Sequence, residues 1–299
     1  MSPAAPPAED RPRVPAVPAS SLVLVRPGAG GEISVFTVRR AGTMAFSAHA
    51  TAFPGGRVDP ADDLPDRLWE GTDLADWGRR LGLPHEPVDA HGTLTELDPA
   101  EGAGRVLAAA VRETFEETGV LLARDAVTGT PVDPARVAAF PDELRDAVER
   151  HEVDFGELLD REGLRPDARA LVPWSRWITP HGGPRRYDTF FFAVHLPQGQ
   201  SPERMSSEAA SHGWASPAEL LRRFRAGEVN LMAPTWWQLR TLVDAGEDIH
   251  AGRSRFEPLE GVMLVAGQGP VFPHADEYLR DLTAFRAAAQ VEESKDNIL

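Results

Sequence analysis

The sequence predicts an α/β fold, and three observations support this class. Two short runs of β-forming residues, 22–26 and 33–39, are separated by a Pro- and Gly-rich stretch typical of a hairpin turn. An amphipathic helix with one apolar and one acidic face covers residues 112–119. Runs of β-forming residues then return later in the chain, at 171–179, 187–196 and 209–215. Strands that alternate with helices along one chain are typical of an α/β protein.

Two segments interrupt this pattern and are predicted to be insertions with helical content. The first, 63–104, is rich in Pro, Gly and Asp and fits neither a clean strand nor one long helix. Its tryptophans, Trp69 and Trp77, are candidates for a mobile cap over an adenine or an acyl chain. The second insertion, about 134–168, has the apolar spacing of a helix over 141–163.

Several shorter elements complete the prediction. A short strand ends at Phe53 and runs into the turn Pro54-Gly55-Gly56, where missing side chains let the backbone approach a ligand closely. Three further elements are predicted: a helix opening at Ser216 and Pro217, a helix near Pro234 and a strand at 262–266.

Composition restricts the class of protein and its partners. The 299 residues are 42% hydrophobic, which is enough to bury the core of one large domain, placed at 21–285. The formal net charge of -15 at pH 7 argues against nucleic acid or an anionic membrane as a general partner, because both favour a basic surface. The chain has no cysteine, so disulfides and thiolate chemistry are excluded and a cytoplasmic location is expected.

The two ends are predicted to lie outside the folded domain. Residues 1–20 are rich in Pro and Ala, lack the apolar block of a signal peptide and are expected to be disordered. Residues 286–299 are predicted to form a polar tail.

The acidic helix is the most informative segment. At about 100° per residue, Glu113, Glu116 and Glu117 share one face, and Arg112 borders it at a spacing that allows a pair with Glu116. Gly119 suits the left-handed turn that ends a helix. One interpretation is a solvated acidic surface. The other is a site for Mg²⁺ or Mn²⁺, since a hard cation relieves the repulsion among three carboxylates.

Read together, FPGGRVDPAD at 53–62 and RETFEETGV at 112–120 resemble the two halves of the box of the Nudix hydrolases. Gly56 takes the position of the first glycine of that box. Asp62 stands where a glutamate is usual, and Thr114 replaces an aliphatic residue. The halves are contiguous in most members and are separated here by the first insertion.

The split box resembles one branch in particular, the peroxisomal or mitochondrial acyl-coenzyme A diphosphatases of animals and their bacterial relatives. Other coenzyme A-cleaving branches have an arginine and a glycine at the spacings where this chain has Ala45 and His49. The similarity extends to five flanking segments, at 44–56, 177–180, 185–192, 207–219 and 231–234.

This resemblance implies a Nudix α/β/α sandwich with a mixed sheet, enlarged by the two insertions. It also implies a Mg²⁺- or Mn²⁺-dependent attack of water on a diphosphate. The Gly56 carbonyl joins Glu113, Glu116 and Glu117 as an implied metal ligand, and Arg112 orients a glutamate. Four residues are implied in catalysis: Glu116, Glu117, Arg112 and Glu208, the last of which is equally well explained as a surface glutamate at a strand end.

Substrate contacts are predicted at two basic pairs. Arg39 and Arg40 end the second strand, and Arg185 and Arg186 precede Tyr187. Arg186 and Tyr187 are slightly favoured because they lie in a segment shared with the branch. An arginine fork suits phosphate oxygens, although solvated charge at a strand end explains either pair equally well. No histidine has metal-ligand spacing with another, so we interpret His49, His181 and His212 as incidental.

The predicted reaction is cleavage of coenzyme A or acyl-coenzyme A to 3′,5′-ADP and phosphopantetheine or its acyl derivative. Two alternatives stay open: hydrolysis of ADP-ribose, NADH or another nucleoside diphosphate derivative, and a non-catalytic Nudix module that binds a nucleotide. The expected partner is a small-molecule diphosphate, with no nucleic acid and no membrane, and a homodimer is left open.

Overall fold

The computed structural model describes residues 15–40, 49–83, 97–179, 185–202, 209–246, 249, 258–260 and 272–296. In chain order its elements are β1 (Ala16–Pro27), β2 (Ile33–Arg40), β3 (Ala50–Ala52), β4 (Gly55–Arg57), α1 (Leu74–Arg80), α2 (Pro99–Thr118), β5 (Ala123–Asp125), α3 (Pro134–Ala138), α4 (Asp142–Glu149), α5 (Phe155–Arg161), β6 (Leu164–Pro166), β7 (Val172–Ile178), β8 (Arg186–His195), β9 (Ala209–Ala215), α6 (Pro217–Arg225), β10 (Asn230–Leu231), α7 (Ala233–Ala245), β11 (Pro258–Glu260) and α8 (Ala275–Asp296).

One mixed sheet forms the centre of the molecule. Within the described ranges it has nine strands, in the order β10-β3-β2-β1-β8-β7-β11, with β4 also paired to β1 and β9 to β2. Strand β1 runs parallel to β8 along most of its length. On its other side β1 pairs antiparallel with β2 at one end and with β4 at the other. The turn after Phe53 thus lies directly beside the central strand.

Helices cover both faces of this sheet. Leu22 and Leu24 of β1 are buried in one hydrophobic cluster, whereas Val23 and Val25 are buried in another. The first cluster is completed by α2 and by the two insertions. The second is completed by α6, α7 and α8. Because successive residues of a strand point to opposite faces, a strand buried on both sides is apolar throughout. The predicted α/β/α sandwich is confirmed.

The tryptophans of the first insertion belong to the core. Trp69 and Trp77 are each 5% exposed, and the Trp77 ring meets Phe192 of the central sheet edge to face at 6.2 Å. Trp69 packs against Gly104 of α2, where the missing side chain leaves room for an indole. The mobile cap suggested from the sequence is therefore wrong for these two side chains, because α2 offers them a surface of small residues.

The second insertion is helical, but it is not one helix. It forms α3, α4 and α5, followed by the short strand β6. Asp154 breaks the predicted helix by capping α5, since its side chain accepts a hydrogen bond from the Glu157 amide at 2.8 Å.

Both predicted ends of the domain need correction. Strand β1 begins at Ala16, inside the segment expected to be disordered. Its small residues let α2 approach, and the Ser20 hydroxyl donates to the Val106 carbonyl at 2.7 Å. Helix α8 runs to Asp296, so the predicted polar tail from residue 286 is helical up to that residue. The strand predicted at 262–266 lies outside the described residues. No helix in the described ranges has the length and apolar content needed to cross a bilayer.

Candidate active site

The two halves of the split box meet at Arg112. Its Nε and Nη2 donate to both oxygens of Asp62 at 2.8 and 3.0 Å. Nη1 donates to Glu116 at 3.1 Å and to Glu113 at 3.0 Å, and Nη2 also reaches the Arg57 carbonyl at 3.0 Å. The side chain is 4% exposed. We call this set of contacts the Arg112 clasp.

Asp62 has two roles. Its carboxylate accepts a hydrogen bond from the Asp59 amide at 2.7 Å and so caps the local turn. The same carboxylate forms the two-pronged pair with Arg112 and is 1% exposed. A bidentate arginine pair fixes orientation as well as distance. Asp62 therefore anchors the first half of the box to helix α2.

The glycine turn approaches α2 so closely that side chains would not fit. A Cβ on Gly56 would lie 2.5 Å from the Glu113 carboxylate. Gly55 has a φ of 147° and would place a Cβ against the backbone of Ser20. Its amide donates to the Glu117 carboxylate at 3.0 Å. Strand β4 and the acidic face of α2 are thus held in direct contact.

Two local predictions about α2 are confirmed, and one departure from the family pattern is explained. Gly119 has a φ of 76° and closes the helix, and Arg112 pairs with Glu116 across one turn. Thr114, which replaces an aliphatic residue, is fully buried, but its hydroxyl donates to the Ala110 carbonyl at 2.7 Å. The hydroxyl is satisfied within the helix, so the position accepts threonine.

A cavity of about 500 Å³ opens beside the clasp. One wall carries the acidic residues of α2 and the glycine turn, and another carries small and hydroxyl residues of β1 and β8. A third part of the lining is apolar and includes Phe53, Phe191 and Met232. Such a lining provides charged, polar and apolar contacts for one extended ligand.

The charge of this cavity is strongly negative. Among the described residues that line it, the cationic or imidazole side chains are Arg57, Arg112 and His151. Five carboxylates also line it, from Asp59, Glu113, Glu116, Glu117 and Glu149.

Burial shifts the pKa values of two of these acids. Burial raises the pKa of Glu113 to about 7, against the opposing effect of Arg112. Burial also raises the pKa of Glu116, although Arg112 and, more weakly, the charge of His151 favour its ionised form. A cation or a proton would relieve this crowding.

The donor chemistry of the acidic wall fits a hard divalent cation. Carboxylate and carbonyl oxygens are the ligands that Mg²⁺ and Mn²⁺ prefer. In the described ranges, however, no three carboxylate or imidazole groups already converge as an ion-holding cluster. Glu113 and Glu116 instead accept hydrogen bonds from Arg112, and Glu117 accepts one from Gly55. A cation would compete with these internal donors for the same oxygens.

The predicted substrate-binding residues have different positions. Tyr187 lines the cavity. Arg39 is exposed on β2 and is not part of the lining. Arg186 is 2% exposed, and its Nε donates to the Thr179 carbonyl at 2.8 Å, between β7 and β8, so it is not brought to the cavity. The Arg40 side chain and Glu208 lie outside the described residues.

Sequence reasoning did not find several lining residues. Arg57 belongs to the first half of the box, but its charge was not considered. Glu149 and His151 follow from the second insertion, where no spacing signal marks them. His49 is exposed in a turn and His212 packs against Phe36 at 5.4 Å, and neither lines the cavity. His181 lies outside the described residues.

Comparison with known sequences decides the family. The sequence profile described as the NUDT19 Nudix domain matches residues 16–242, which include both halves of the box. The chain belongs to the Nudix hydrolases. This Nudix domain is 33% identical over 243 residues to the chicken (Gallus gallus) acyl-coenzyme A diphosphatase NUDT19, covering 71% of this chain and 62% of that protein. The human (Homo sapiens) protein of the same name is 29% identical, with 92% of this chain and 80% of that protein covered.

A solved structure agrees with this assignment. The crystal structure of a Nudix hydrolase from Alicyclobacillus acidocaldarius is 29% identical in sequence, with a TM-score of 0.58. The match covers 81% of this chain and 97% of the bacterial protein. The Nudix fold of the bacterial enzyme therefore extends over most of this chain.

Proposed function

We propose that the chain is a divalent-cation-dependent diphosphatase that hydrolyses coenzyme A or acyl-coenzyme A. The products are 3′,5′-ADP and phosphopantetheine or acyl-phosphopantetheine. The Arg112 clasp carries the proposal, because it joins both halves of the Nudix box beside one acidic cavity. The chicken and human relatives, both named acyl-coenzyme A diphosphatases, support the substrate class.

The acidic wall would hold Mg²⁺ or Mn²⁺ through Glu113, Glu116, Glu117 and the Gly56 carbonyl. Such a cation supplies charge neutralisation for the diphosphate. Arg112 is a positioning residue, since its guanidinium is committed to Asp62 and Glu116. The Gly55 amide likewise positions Glu117 by donating a hydrogen bond to its carboxylate.

Hydrolysis forms a bond between a water oxygen and one phosphorus, and it breaks the bridging P–O bond. The proton of the attacking water passes to a carboxylate, for which Glu116, Glu117 and Glu208 are the candidates. Tyr187 also lines the cavity, and a tyrosine hydroxyl can donate a hydrogen bond to a phosphate oxygen.

The apolar part of the lining favours a substrate with an organic arm beyond the diphosphate. Phe53, Phe191 and Met232 line the same cavity as the carboxylates, and Met232 is 40% exposed. A pantetheine or acyl arm would cover this surface, with a gain of about 25 cal/mol per Å² of apolar area buried. ADP-ribose has no comparable apolar arm.

A substrate panel tests the proposal. The chelator-treated protein, supplied with Mg²⁺ or Mn²⁺, is given coenzyme A, an acyl-coenzyme A, dephospho-coenzyme A, ADP-ribose and NADH, and the products are identified by mass spectrometry. We expect the fastest turnover with the coenzyme A compounds, release of 3′,5′-ADP and no turnover with chelator. Faster turnover of ADP-ribose or NADH would favour the alternative substrates, and binding without turnover would favour a nucleotide-binding module.

Carboxylate variants test the site. We expect Glu116→Gln and Glu117→Gln each to lower kcat at least 100-fold, because each removes a charge from the cation-holding wall. Glu101→Gln lies on the same helix but faces solvent beside Arg105, so it is a matched control with unchanged activity. Full metal-dependent turnover in the two site variants would exclude the mechanism. A cytoplasmic location and a homodimer stay predictions.

A further inference from the structure

The second insertion brings two residues to the lining of the candidate active site, Glu149 at the end of α4 and His151 two positions later. Of these, His151 can donate a hydrogen bond, and it lines the cavity together with Glu116 and Glu117. Helix α4 is anchored in the first hydrophobic cluster by Val148, which is 1% exposed. The helix that precedes His151 is therefore packed against the core.

The backbone of His151 has an unusual conformation. Its φ is 56°, in the left-handed region that residues other than glycine seldom adopt. The His151 amide donates to the Val148 carbonyl at 2.9 Å, which fixes this turn. Together with the hydrogen bond from the Glu152 amide to the Ala147 carbonyl, it closes helix α4 in the usual left-handed way, at the position where glycine is commonest. Here that position carries an imidazole, and the residue lines the cavity.

The cavity lining contains few side chains that could donate a hydrogen bond to a phosphate. Arg112 is committed to the clasp, so Arg57 and His151 are the remaining cationic or imidazole side chains among the described lining residues. His151 lines the same cavity as Glu113, Glu116 and Glu117. Imidazole N–H groups donate readily to phosphate oxygens.

We propose that His151 contacts the substrate and donates a hydrogen bond to its diphosphate, so that the second insertion supplies part of the active site. This role rests on the proposed function. The competing explanation is structural, since a histidine after the last turn of a helix also stabilises the helix dipole.

Glycine is the informative replacement at this position. An alanine would combine loss of the imidazole with strain at a φ of 56°, whereas glycine removes the side chain and relieves the strain. We expect His151→Gly to lower kcat/KM for coenzyme A 10- to 100-fold, with a melting temperature equal to or above that of the wild type. His151→Asn, which suits this backbone and keeps a donor, should recover part of the activity.

His274→Gly is a matched control. His274 also has a positive φ, of 68°, and its imidazole pairs with Glu277 at 3.1 Å, away from the cavity. Replacement there removes the same side chain from the same kind of backbone. Activity in His274→Gly should equal that of the wild type.

Binding of coenzyme A, measured by isothermal titration in chelator, separates the inference from the proposed function. If the wild type is active and His151→Gly is equally active, the role of His151 is overturned while the proposed function stands. The same holds if His151→Gly has a lower melting temperature but an unchanged kcat/KM. If the wild type binds coenzyme A without hydrolysing it, the proposed function fails. In that case, at least tenfold weaker binding by His151→Gly still supports a contact between His151 and the ligand. Equal binding by the two proteins, or no binding by the wild type, overturns that contact.

Discussion

Arg112 connects more of the candidate site than any other single side chain described above. It contacts both box halves, and its partners Asp62 and Glu116 are buried with it. A buried charge is tolerated when partners surround it, but the loss of one partner leaves the others uncompensated. Arg112 therefore couples the stability of the fold to the geometry of the site.

Replacement by lysine tests this coupling. Arg112→Lys keeps the charge but loses the fork, so we expect the free energy of unfolding to fall by about 2 kcal/mol and kcat by at least tenfold. Urea unfolding and initial rates measure the two effects. Arg67→Lys breaks a similar two-pronged pair with Asp160 on the surface and should change neither. Wild-type stability in Arg112→Lys would contradict a structural role for the clasp.

Glu113 gives the site a pH dependence in the absence of metal. Its pKa rises from 4.5 to about 7 on folding, so the folded state binds the proton more tightly than the unfolded state. The free energy of unfolding should then decrease as the pH rises from about 4.5 to 7, by about 1 to 3 kcal/mol from this group. Urea unfolding in chelator at pH 5 and pH 8 measures the change.

Glu113→Gln should be more stable than the wild type at pH 8 and should lack this part of the pH dependence. Added Mg²⁺ should raise the melting temperature of the wild type more than that of the variant, because a bound cation stabilises the folded state. An identical pH profile in the two proteins would exclude Glu113 as the titrating group.

The contact between strand β4 and helix α2 sets the shape of the acidic wall. Gly56 lies against the Glu113 carboxylate, and an added methyl group would displace it. We expect Gly56→Ala to lower kcat at least tenfold while the protein stays folded, as measured by initial rates and circular dichroism. Gly213 on β9 has open space around it, so Gly213→Ala is the control with unchanged activity. Normal turnover in Gly56→Ala would mean that the wall tolerates a shift of Glu113.

Elements with a strong local pattern were predictable. The end of the acidic helix at Gly119 and strand β9 follow from residue spacing within a few positions. The start of that helix does not, because α2 begins at Pro99, inside the segment predicted as the first insertion. Ser216 caps α6 as predicted, by accepting a hydrogen bond from the Glu219 amide at 3.2 Å. Such signals are contained in one segment, so a single sequence reveals them.

Features that depend on distant partners were not predictable in the same way. The pairing of β4 with β1 requires knowledge of the whole sheet. The core positions of Trp69 and Trp77 depend on the small residues of α2, and the start of β1 at Ala16 depends on its long pairing with β8. His151 reaches the cavity because α4 packs on α2, which no spacing in the sequence reveals.

The whole molecule extends beyond the match to the Nudix family, which ends at residue 242. Helix α8 follows that match and completes the second hydrophobic cluster. Tyr278 stacks parallel to Phe224 with ring centres 6.3 Å apart and meets the edge of Trp236. The Trp236 indole donates to Asp281 at 2.9 Å. The C-terminal helix is therefore part of the fold.

Loss of the Tyr278 ring should destabilise the protein without affecting the site. We expect Tyr278→Ala to lower the free energy of unfolding by about 3 kcal/mol, as for other large aromatic truncations, with unchanged kcat in the folded fraction. Tyr278→Phe keeps the ring and should stay within about 1 kcal/mol of the wild type. Urea unfolding and initial rates provide the measurements. A stable Tyr278→Ala would show that α8 contributes little to the core.

The Arg112 clasp also bears on the kinetics of folding. Arg112 and Asp62 are 50 positions apart in the chain, and Gly55 and Glu117 are 62 apart. Each doubling of the loop to be closed costs roughly 0.6 kcal/mol, and contacts between distant residues slow folding. The cavity beside the clasp should be among the last features to form during refolding. A fragment with one half of the box should have no partial activity, and the recovery of turnover after dilution from denaturant should follow completion of the whole domain.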